Sequence, residues 1–307
     1  IIAFDKISLP GEAERTFSIL PGELSSVQGD ITNMDNVLRI IKDNNIERIF
    51  HGAAVTAGQK RDLEEPELVL SVNVMGLINS LKASKAAGTV KRIINISSGS
   101  AYGDGGFGDT GWEGVLDEYG TREDPVTLYA ISKYASERVA RRLGNLMSLD
   151  VCNVRLSAIF GPWEYDTGLR DTISAPMQAS LLAIAGSTAI LSRKESRDWT
   201  YSRHVAEALY ALMDQKNLTH DLYNITSGMP WSVEEWCKCL AKTFPEFQYR
   251  FARAGEQTNV DLFGDRDRVA MSSEKLTSDT GYELSKNIPE IYNNFEKWML
   301  SSREFWK

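Results

Sequence analysis

Two residues four positions apart, Tyr129 and Lys133, have the chemistry of a proton-transfer pair. The residues that follow Pro125 have helical spacing, so both side chains lie on one face of a predicted helix, one turn apart. A free phenol has a pKa of about 10, and an ammonium roughly 6 Å away lowers it by about two units at an effective dielectric constant of about 20. This pair could exchange protons near neutral pH; the alternative is two ordinary helix residues.

A hydroxyl that could assist this pair, Ser98, follows a β-branched run that predicts a buried strand over 90–96. Open α/β sheets bind ligands at the carboxyl ends of their strands, where Ser98 would lie. A hydroxyl at that place can hold the oxygen of a substrate carbonyl or alcohol. The alternative is a Ser/Gly turn without chemistry.

Taken in order, Ser98, Tyr102-Gly103, Tyr129 and Lys133 resemble the motifs of the extended short-chain dehydrogenase/reductase family, which contains the NAD-dependent sugar-nucleotide epimerases and dehydratases. The resemblance covers nearly the whole chain and implies that Ser98, Tyr129 and Lys133 are catalytic. It implies an α/β fold, with a Rossmann-like doubly wound parallel sheet and a smaller C-terminal substrate lobe. The dinucleotide-binding domain would comprise 1–161 and 197–226, and the substrate-binding lobe 162–196 and 227–307.

The resemblance also implies that NAD is the cofactor, with NADP less favoured. Asp5 ends the first predicted strand, where the family's acid binds the adenosine ribose; an N-capping Asp is the alternative. Asp30 and Ile31 match a Gly-Asp-Ile segment beside the adenine, although Asp30 or Thr32 could instead cap the helix predicted over 34–44. The other cofactor-binding candidates, besides Tyr129 and Lys133, are Ala53, Ala54, Thr56, Asn73 and Ile159.

No Gly-x-x-Gly-x-x-Gly sequence precedes the strand of Asp5; the spacing occurs only at 105–111 and 108–114, in the Gly- and acid-rich loop predicted over 103–124. The family carries this phosphate-binding loop on a strand, loop and helix that precede the strand of Asp5. We expect residues that precede Ile1 to supply it. Otherwise the protein would lack its pyrophosphate cradle, fold poorly and bind NAD weakly, because a parallel sheet would lose a central strand.

The substrate-binding candidates are Ser100, Arg197 and Arg268. Arg197 begins a segment resembling the family's Arg-Asp-aromatic motif, whose Arg often holds a phosphate or carboxylate; a structural Arg–Asp pair is the alternative. Arg266 and Arg268 both match the family's C-terminal arginine, and we name Arg268 as the candidate. The Gly- and acid-rich loop over 103–124 is predicted to cover the substrate.

Two departures from the family's sequence pattern limit which reactions and substrates are expected. Sugar 4,6-dehydratases have Asp-Glu directly after the catalytic hydroxyl residue, where this chain has Gly99-Ser100, so a 4,6-dehydratase is not expected. Many nucleotide-sugar epimerases have Phe-Asn where this chain has Ser157-Ala158, which weakens the case for a nucleotide-diphosphate substrate.

The predicted function is therefore an NAD-dependent oxidoreductase or epimerase that acts on a hydroxyl carbon of a sugar or nucleotide-sugar. One alternative is a simple NAD(P)-dependent dehydrogenase or ketoreductase of a small hydroxylated substrate. The other is a non-catalytic, NAD-sensing regulatory protein.

Composition excludes several other classes. The net charge of −8 argues against nucleic-acid or anionic-membrane binding, and no apolar run is long enough to span a bilayer. Three cysteines and three scattered histidines predict neither a disulfide framework nor a metal site. We expect a cytoplasmic protein. The resemblance implies a homodimer formed through the helices at 68–87 and 126–143.

Overall fold

The computed structural model describes residues 1–104, 114–169, 172–262, 266–302 and 305. Contacts between residues divide the chain into two compact units. Unit 1 comprises Ile1–Ala101, Pro125–Arg155 and Met213–Tyr223, and unit 2 comprises Tyr102–Asp124, Leu156–Leu212 and Asn224–Lys307. Contacts show which parts of the chain pack together but not what each part binds. The predicted division into a cofactor-binding domain and a substrate-binding lobe therefore stays a prediction.

Unit 1 alternates strands with helices. Its strands are β1 (Ile2–Asp5), β2 (Ser25–Gln28), β3 (Arg48–His51), β4 (Arg92–Ser98) and β5 (Val151–Leu156), whose last residue begins unit 2. Its helices are α1 (Gly11–Ser18), α2 (Met34–Asp43), α3 (Gln59–Glu64), α4 (Pro66–Leu70), α5 (Gly76–Ala87) and α6 (Leu128–Met147).

Unit 2 contains shorter strands and most of the C-terminal helices. Its strands are β6 (Ala158–Phe160), β7 (Thr188–Leu191), β8 (Trp199–Tyr201), β9 (Leu222–Ile225), which begins in unit 1, and β10 (Gln248–Phe251). Its helices are α7 (Ala175–Ile184), α8 (Ser202–Asp214), which ends in unit 1, α9 (Val233–Thr243), α10 (Glu274–Thr280) and α11 (Ile288–Ser301).

Four strands form one sheet in the order β3-β4-β5-β9. Arg48 of β3 lies opposite Arg92 of β4 in parallel register, and the pairs β1–β2, β6–β8 and β7–β10 are also parallel. This arrangement confirms the predicted α/β class with parallel sheets. In such a sheet the carboxyl ends of neighbouring strands meet at one edge.

The helix that carries Tyr129 and Lys133, α6, begins where the sequence predicts. The Thr127 hydroxyl accepts the Ala130 N–H at 3.2 Å, which satisfies one of the free donors of the first turn. The helix ends at Ser148, in the left-handed conformation with φ 54°. On its inner face Ala140 packs with Leu77, Leu81 and Ile93 in a buried cluster that joins α6, α5 and β4.

Three local predictions need correction. The helix predicted over 68–87 contains a π-helical turn, Ser71–Met75, between α4 and α5. The side chain of Asn33, and neither Asp30 nor Thr32, caps α2, because it accepts the N–H groups of Asp35 and Asn36. The strand predicted to end at residue 96 extends through Ser98. By contrast, the capping box of Ser232 and Glu235 is present at α9.

Aromatic side chains dominate the core of unit 2. Phe160 packs edge to face against Trp231 and Trp236, with ring centroids 5.4 and 5.1 Å apart, and the two tryptophan rings lie 5.7 Å apart at an interplanar angle of 34°. Rings at these separations contribute about 0.5–1.5 kcal/mol per pair beyond their buried area. No helix within the described ranges is long and apolar enough to cross a membrane. Of the loop predicted to cover the substrate, 105–113 lies outside the described residues.

Candidate active site

Lys133 is the buried centre of the candidate site. Its Nζ donates to the carbonyl oxygen of Ile96 at 2.8 Å and lies 5.9 Å from the centroid of the Tyr129 ring. The side chain is buried, and burial lowers the pKa of Lys133 to about 8, against the opposing effect of the Glu137 charge. The helical spacing therefore places the ammonium near the Tyr129 ring.

Ser98 is the last residue of β4, two residues after the Ile96 carbonyl that holds Lys133. Its Oγ accepts the Ser100 N–H at 3.1 Å and donates to the Ser100 hydroxyl at 3.2 Å. This turn fixes the Ser98 hydroxyl at the carboxyl end of the strand. The structure thus groups Ser98 with Ser100, and Tyr129 with Lys133 and the end of β4.

A buried ion pair behind Lys133 was not predicted from the sequence. Glu137 on α6 accepts from Arg155 of β5, from Nε at 3.0 Å and from Nη2 at 2.7 Å, and from the Ser97 hydroxyl at 2.5 Å. Two signals were present. Glu137 lies one turn after Lys133, and Arg155 is the charged residue of β5, between the apolar Val154 and Leu156.

Asn73, a candidate from the resemblance, joins the segment after β3 to α6. Its Oδ1 accepts the Val55 N–H at 2.8 Å, and its Nδ2 donates to the Val55 carbonyl at 3.0 Å and to the Ser132 hydroxyl at 2.9 Å. A buried amide without partners would cost about 1–3 kcal/mol. Here these bonds position Ser132, the neighbour of Lys133, and so help to fix the start of α6.

His51 ends β3 and is buried near Lys133. Burial, and secondarily the Lys133 charge, lowers the pKa of His51 to about 3, so the ring is neutral at physiological pH. Its Nδ1 lies 3.1 Å from the Ser80 hydroxyl, and Nε2 has no hydrogen-bond partner within the described part of the chain.

The cofactor candidates nearest the start of the chain lie at the end of β1 and just after β2. Asp5 is exposed at the end of β1, where its Oδ1 accepts the Ile7 N–H at 3.1 Å. Asp30 accepts the hydroxyl and N–H of Thr32, which, with Lys6 at 3.3 Å, lower the pKa of Asp30.

The backbone around Ile31 is held in place from α5. Asn79 Nδ2 donates to the Ile31 carbonyl at 3.1 Å and to the Thr32 carbonyl at 2.8 Å. A Cβ at Gly76 would lie 3.0 Å from the Ile31 side chain, so glycine allows this close approach. Ala53, Ala54 and Thr56 lie in the partly buried segment after β3.

These groups fit a dinucleotide. The exposed Asp5 carboxylate can accept two ribose hydroxyls, and the Lys6 ammonium, which could favour a 2′-phosphate, pairs with Asp30 instead. In the described residues no group of three His, Cys, Asp or Glu side chains could hold a metal ion.

Unit 2 carries the remaining candidates. Ile159 lies on β6 opposite Thr200 of β8, and Arg197 directly precedes Asp198 and β8. The Arg197 guanidinium lies 5.4 Å from the Trp199 ring centroid, and its Nη2 donates to the Leu262 carbonyl at 3.3 Å. Leu262 also lines a cavity of about 340 Å³, together with Gln178, Ser192 and residues 258–261.

Arg268 lies close enough to Arg197 for the two charges to interact. Burial, and then the charge of Arg197, lowers the pKa of Arg268 to about 10. Burial also lowers the pKa of Arg197. Arg266 is exposed. The charges of Glu195, Asp261 and Asp267 favour the charged form of Arg197. Arg268 is thus a partly buried cation near a second cation, and a bound anion would stabilise its charge.

Comparison with known proteins agrees with the residue pattern. The family model described as "NAD dependent epimerase/dehydratase family" matches residues 6–226, more than half of the chain. UDP-glucuronate 4-epimerase 4 of Arabidopsis thaliana is 27% identical over 292 residues, which cover 90% of this chain but 63%, less than two thirds, of that protein. The chain therefore belongs to the NAD-dependent epimerase/dehydratase family, which confirms the resemblance.

Solved structures share the fold. Epimerase Mth375 from Methanothermobacter thermautotrophicus superposes with a TM-score of 0.78 at 23% identity, over 99% of this chain and 86% of that one. MoeE5, solved in complex with UDP-glucuronic acid and NAD, gives a TM-score of 0.75 at 23% identity, over 98% of this chain and 91% of that one. At this identity the likeness concerns the fold.

Proposed function

We propose that this protein is an NAD-dependent epimerase that oxidises a hydroxyl carbon of a sugar nucleotide and reduces it again. The observation that carries the proposal is the buried Lys133 ammonium, bonded to the end of β4 and 5.9 Å from the centre of the Tyr129 ring. A cation at this distance favours the phenolate form of a tyrosine, which can then act as a base near neutral pH.

In this mechanism Tyr129 removes the proton from the substrate hydroxyl. Lys133 stabilises the phenolate, and Ser98 orients the substrate oxygen while it shares the proton. Bound NAD would supply the acceptor for the hydride that leaves the hydroxyl-bearing carbon and the donor for its return. Gly99-Ser100 follow Ser98, where 4,6-dehydration would need an acid/base pair, so we infer that elimination does not follow oxidation.

The cofactor would be held by residues of several elements. Asp5 would accept the hydroxyls of the adenosine ribose, and Asp30 and Ile31 would flank the adenine. Lys133 would donate to the nicotinamide ribose. Around them, supporting contacts would come from Ala53, Ala54, Thr56, Asn73 and Ile159. This division makes unit 1 the main cofactor-binding unit.

The substrate would carry an anion. Arg197 and Arg268 would bind this anion, since their charges lie close enough to interact, and Arg197 donates to the carbonyl of Leu262, which lines a cavity of about 340 Å³. A nucleotide diphosphate would suit these two cations. By the family resemblance, this chain has Ser157-Ala158 where many nucleotide-sugar epimerases have Phe-Asn, and the Ser157 hydroxyl donates to Thr200 at 2.6 Å. We therefore assign phosphate binding to the arginines. Because a relative is named a UDP-glucuronate 4-epimerase, UDP-glucuronic acid is the first substrate to test.

The protein would act as a homodimer. Four large apolar side chains are exposed on the two segments, 68–87 and 126–143, that the resemblance assigns to subunit contact, namely Leu70, Met75, Val126 and Ile131. Apolar side chains grouped on neighbouring helices are typical of a surface that a second copy covers.

The test uses full-length protein with NAD and a panel of UDP-sugars, with UDP-glucuronic acid first. We expect conversion to the epimer, with reduced nicotinamide that does not accumulate. Steady accumulation would instead indicate a simple dehydrogenase. Tyr129→Phe should lower turnover about 10²- to 10⁴-fold, the usual contribution of a general base, while Tyr134→Phe on the same helix should not. Bound NAD without turnover of any panel member would overturn the proposal in favour of an NAD sensor.

A further inference from the structure

We propose that Glu137, held in place by Arg155, is a positioning residue that keeps the Lys133 ammonium charged and fixes the strand end that carries Ser98. The inference rests on the proposed function only in taking Tyr129 and Lys133 as the proton-transfer pair. The ion pair and its links to α6 and β4 are features of the described structure.

The Glu137 carboxylate is buried, and both of its oxygens accept hydrogen bonds. Arg155 donates to both, at 3.0 and 2.7 Å, and its side chain is 0% exposed. A bidentate guanidinium fixes the plane of a carboxylate and stabilises its charged form. Glu137 is thus a fixed, negatively charged group in the interior of unit 1.

Successive residues at the end of β4 are tied to α6. The Ile96 carbonyl accepts from Lys133 at 2.8 Å, and the Ser97 hydroxyl donates to Glu137 at 2.5 Å. Ser98 is the next residue. Because Lys133 and Glu137 are one helical turn apart, the same helix face that presents the ammonium also fixes the strand beside the candidate catalytic hydroxyl.

Lys133 needs a nearby anion if it is to remain charged. Burial removes water from the ammonium and lowers the pKa of Lys133, and the charge of Glu137 acts in the opposite direction. A neutral amine would no longer favour the phenolate of Tyr129. Glu137 therefore acts on the proton transfer through Lys133, without touching the substrate.

The other groups around Lys133 do not replace this charge. His51, from β3, is neutral at physiological pH, and Arg155, from β5, is positive. The π-helical turn presents the neutral Asn73 amide to Ser132, and α5 packs Leu77 against the helix. Asp62, on α3, accepts the Leu128 N–H at the start of α6, a turn and more before Lys133. Glu137 is the carboxylate that follows Lys133 by one turn.

Stability alone does not account for this pair. Burying two charges costs free energy that their attraction only roughly offsets, and well-packed apolar residues of similar volume are often as stable. An ion pair at this position therefore agrees with a role in holding charge and geometry at Lys133.

The first test measures Lys133 itself, in full-length protein labelled with 13C at the lysine ε-carbons, with Lys133→Met to assign the resonance. Glu137→Gln should shift the titration midpoint of Lys133 down by about one to two pH units, the effect of losing a charge roughly 6 Å away. Glu137→Asp, which keeps the charge, should stay near the wild-type midpoint. An unchanged midpoint in Glu137→Gln would overturn the proposal.

Glu137→Gln leaves Arg155 buried without its carboxylate and can fail to fold, so a second variant is needed. Glu137→Gln combined with Arg155→Met removes both charges and leaves an uncharged interior. Its Lys133 midpoint should still move down, by about one unit. The matched control is Asp221→Asn. It breaks a half-exposed ion pair with Arg141, which lies on α6 like Lys133, and it should leave the titration midpoint of Lys133 unchanged.

The second test is the pH profile of turnover. In the double variant the high-pH limb of kcat should move to lower pH by the same amount as the Lys133 midpoint, with KM little changed. A uniform loss of kcat with the limb in place would show a merely structural role. A shifted Lys133 midpoint in a protein that turns over no substrate would leave this inference standing and overturn the proposed function alone.

Discussion

For Lys133, burial and charge act in opposite directions. Burial lowers its pKa to about 8, and Glu137 limits the decrease, so the ammonium is retained near neutral pH. The Tyr129–Lys133 pairing could be predicted because i,i+4 spacing is local. The Glu137–Arg155 pair could not be predicted, because it joins a helix to a strand that is distant in sequence. A charged residue on a strand does not indicate which residue it will pair with.

The arginines of unit 2 give a prediction about substrate affinity. Arg268→Met should raise KM for a nucleotide-sugar about 10- to 100-fold with a smaller effect on kcat, because a hydrogen bond to a charged group contributes about 1.5–3 kcal/mol. Arg266→Met is the matched control, since Arg266 lies two residues away and is exposed. Steady-state kinetics at constant ionic strength measure both. Equal effects of the two variants would refute the assignment of Arg268.

His51 gives a prediction about pH and stability. Its pKa in the folded protein, about 3, lies below the ordinary value of 6.5, so the unfolded chain binds the proton first. The contribution of His51 to the free energy of unfolding should therefore be fully present above pH 6.5. It should decrease as the pH falls toward 3, by up to about 1.4 kcal/mol per pH unit. His51→Asn should flatten this dependence in urea unfolding between pH 6.5 and 5. Parallel slopes in both proteins would contradict it.

Among the elements of unit 2, the segment after the undescribed residues 105–113 is anchored to α10. Lys275 donates to Asp117 at 2.5 Å and to the buried Glu118 at 3.0 Å, and Glu118 accepts the Asn224 N–H at 2.7 Å. A loop that covers a substrate would thus be fixed at this end. The predicted covering role itself remains a prediction.

Removing this anchor should destabilise unit 2. Lys275→Met leaves the Glu118 carboxylate buried without its cation, and we expect a loss of about 2–3 kcal/mol in the free energy of unfolding. Lys238→Met is the control, because it breaks an exposed helix pair with Glu234, and it should leave the unfolding midpoint nearly unchanged. Urea unfolding followed by tryptophan fluorescence reports on both, and equal midpoints would contradict the prediction.

The helices and strands themselves were largely predictable. Their apolar periodicity and caps are local signals, as at the Ser232 capping box and at Thr127. The π-helical turn around Asn73 was not, because it is stabilised by long-range bonds to Val55 and Ser132. The cap of α2 was assigned to the wrong residue because Asp30, Thr32 and Asn33 are all good capping residues within four positions.

For the chain as a whole, the parallel α/β class was implied by the family resemblance of the motifs around Ser98, Tyr129 and Lys133, and the parallel strand pairing confirms it. The contact-based units were not predictable in detail. The chain passes between them within β5, α8 and β9, and no composition change marks those points.

The proposed homodimer is tested through its exposed apolar side chains. Met75→Glu combined with Ile131→Glu should convert the protein to a monomer, because charges would be buried at the subunit contact. Leu146→Glu is the control, since this exposed leucine lies on α6 beyond 126–143. Sedimentation velocity distinguishes the species. A wild-type monomer, or a dimer unaffected by the double substitution, would contradict the proposal.

We propose that Tyr129 and Lys133 drive reversible oxidation at one substrate carbon. This proposal is tested with UDP-glucuronic acid deuterated at the carbon that inverts, using full-length protein and NAD in ordinary water. We expect slower turnover of the labelled substrate, with the deuterium retained at the same carbon of the product. Loss of the label to water, or an equal rate for labelled and unlabelled substrate at every pH, would contradict oxidation by hydride transfer as the path of epimerisation.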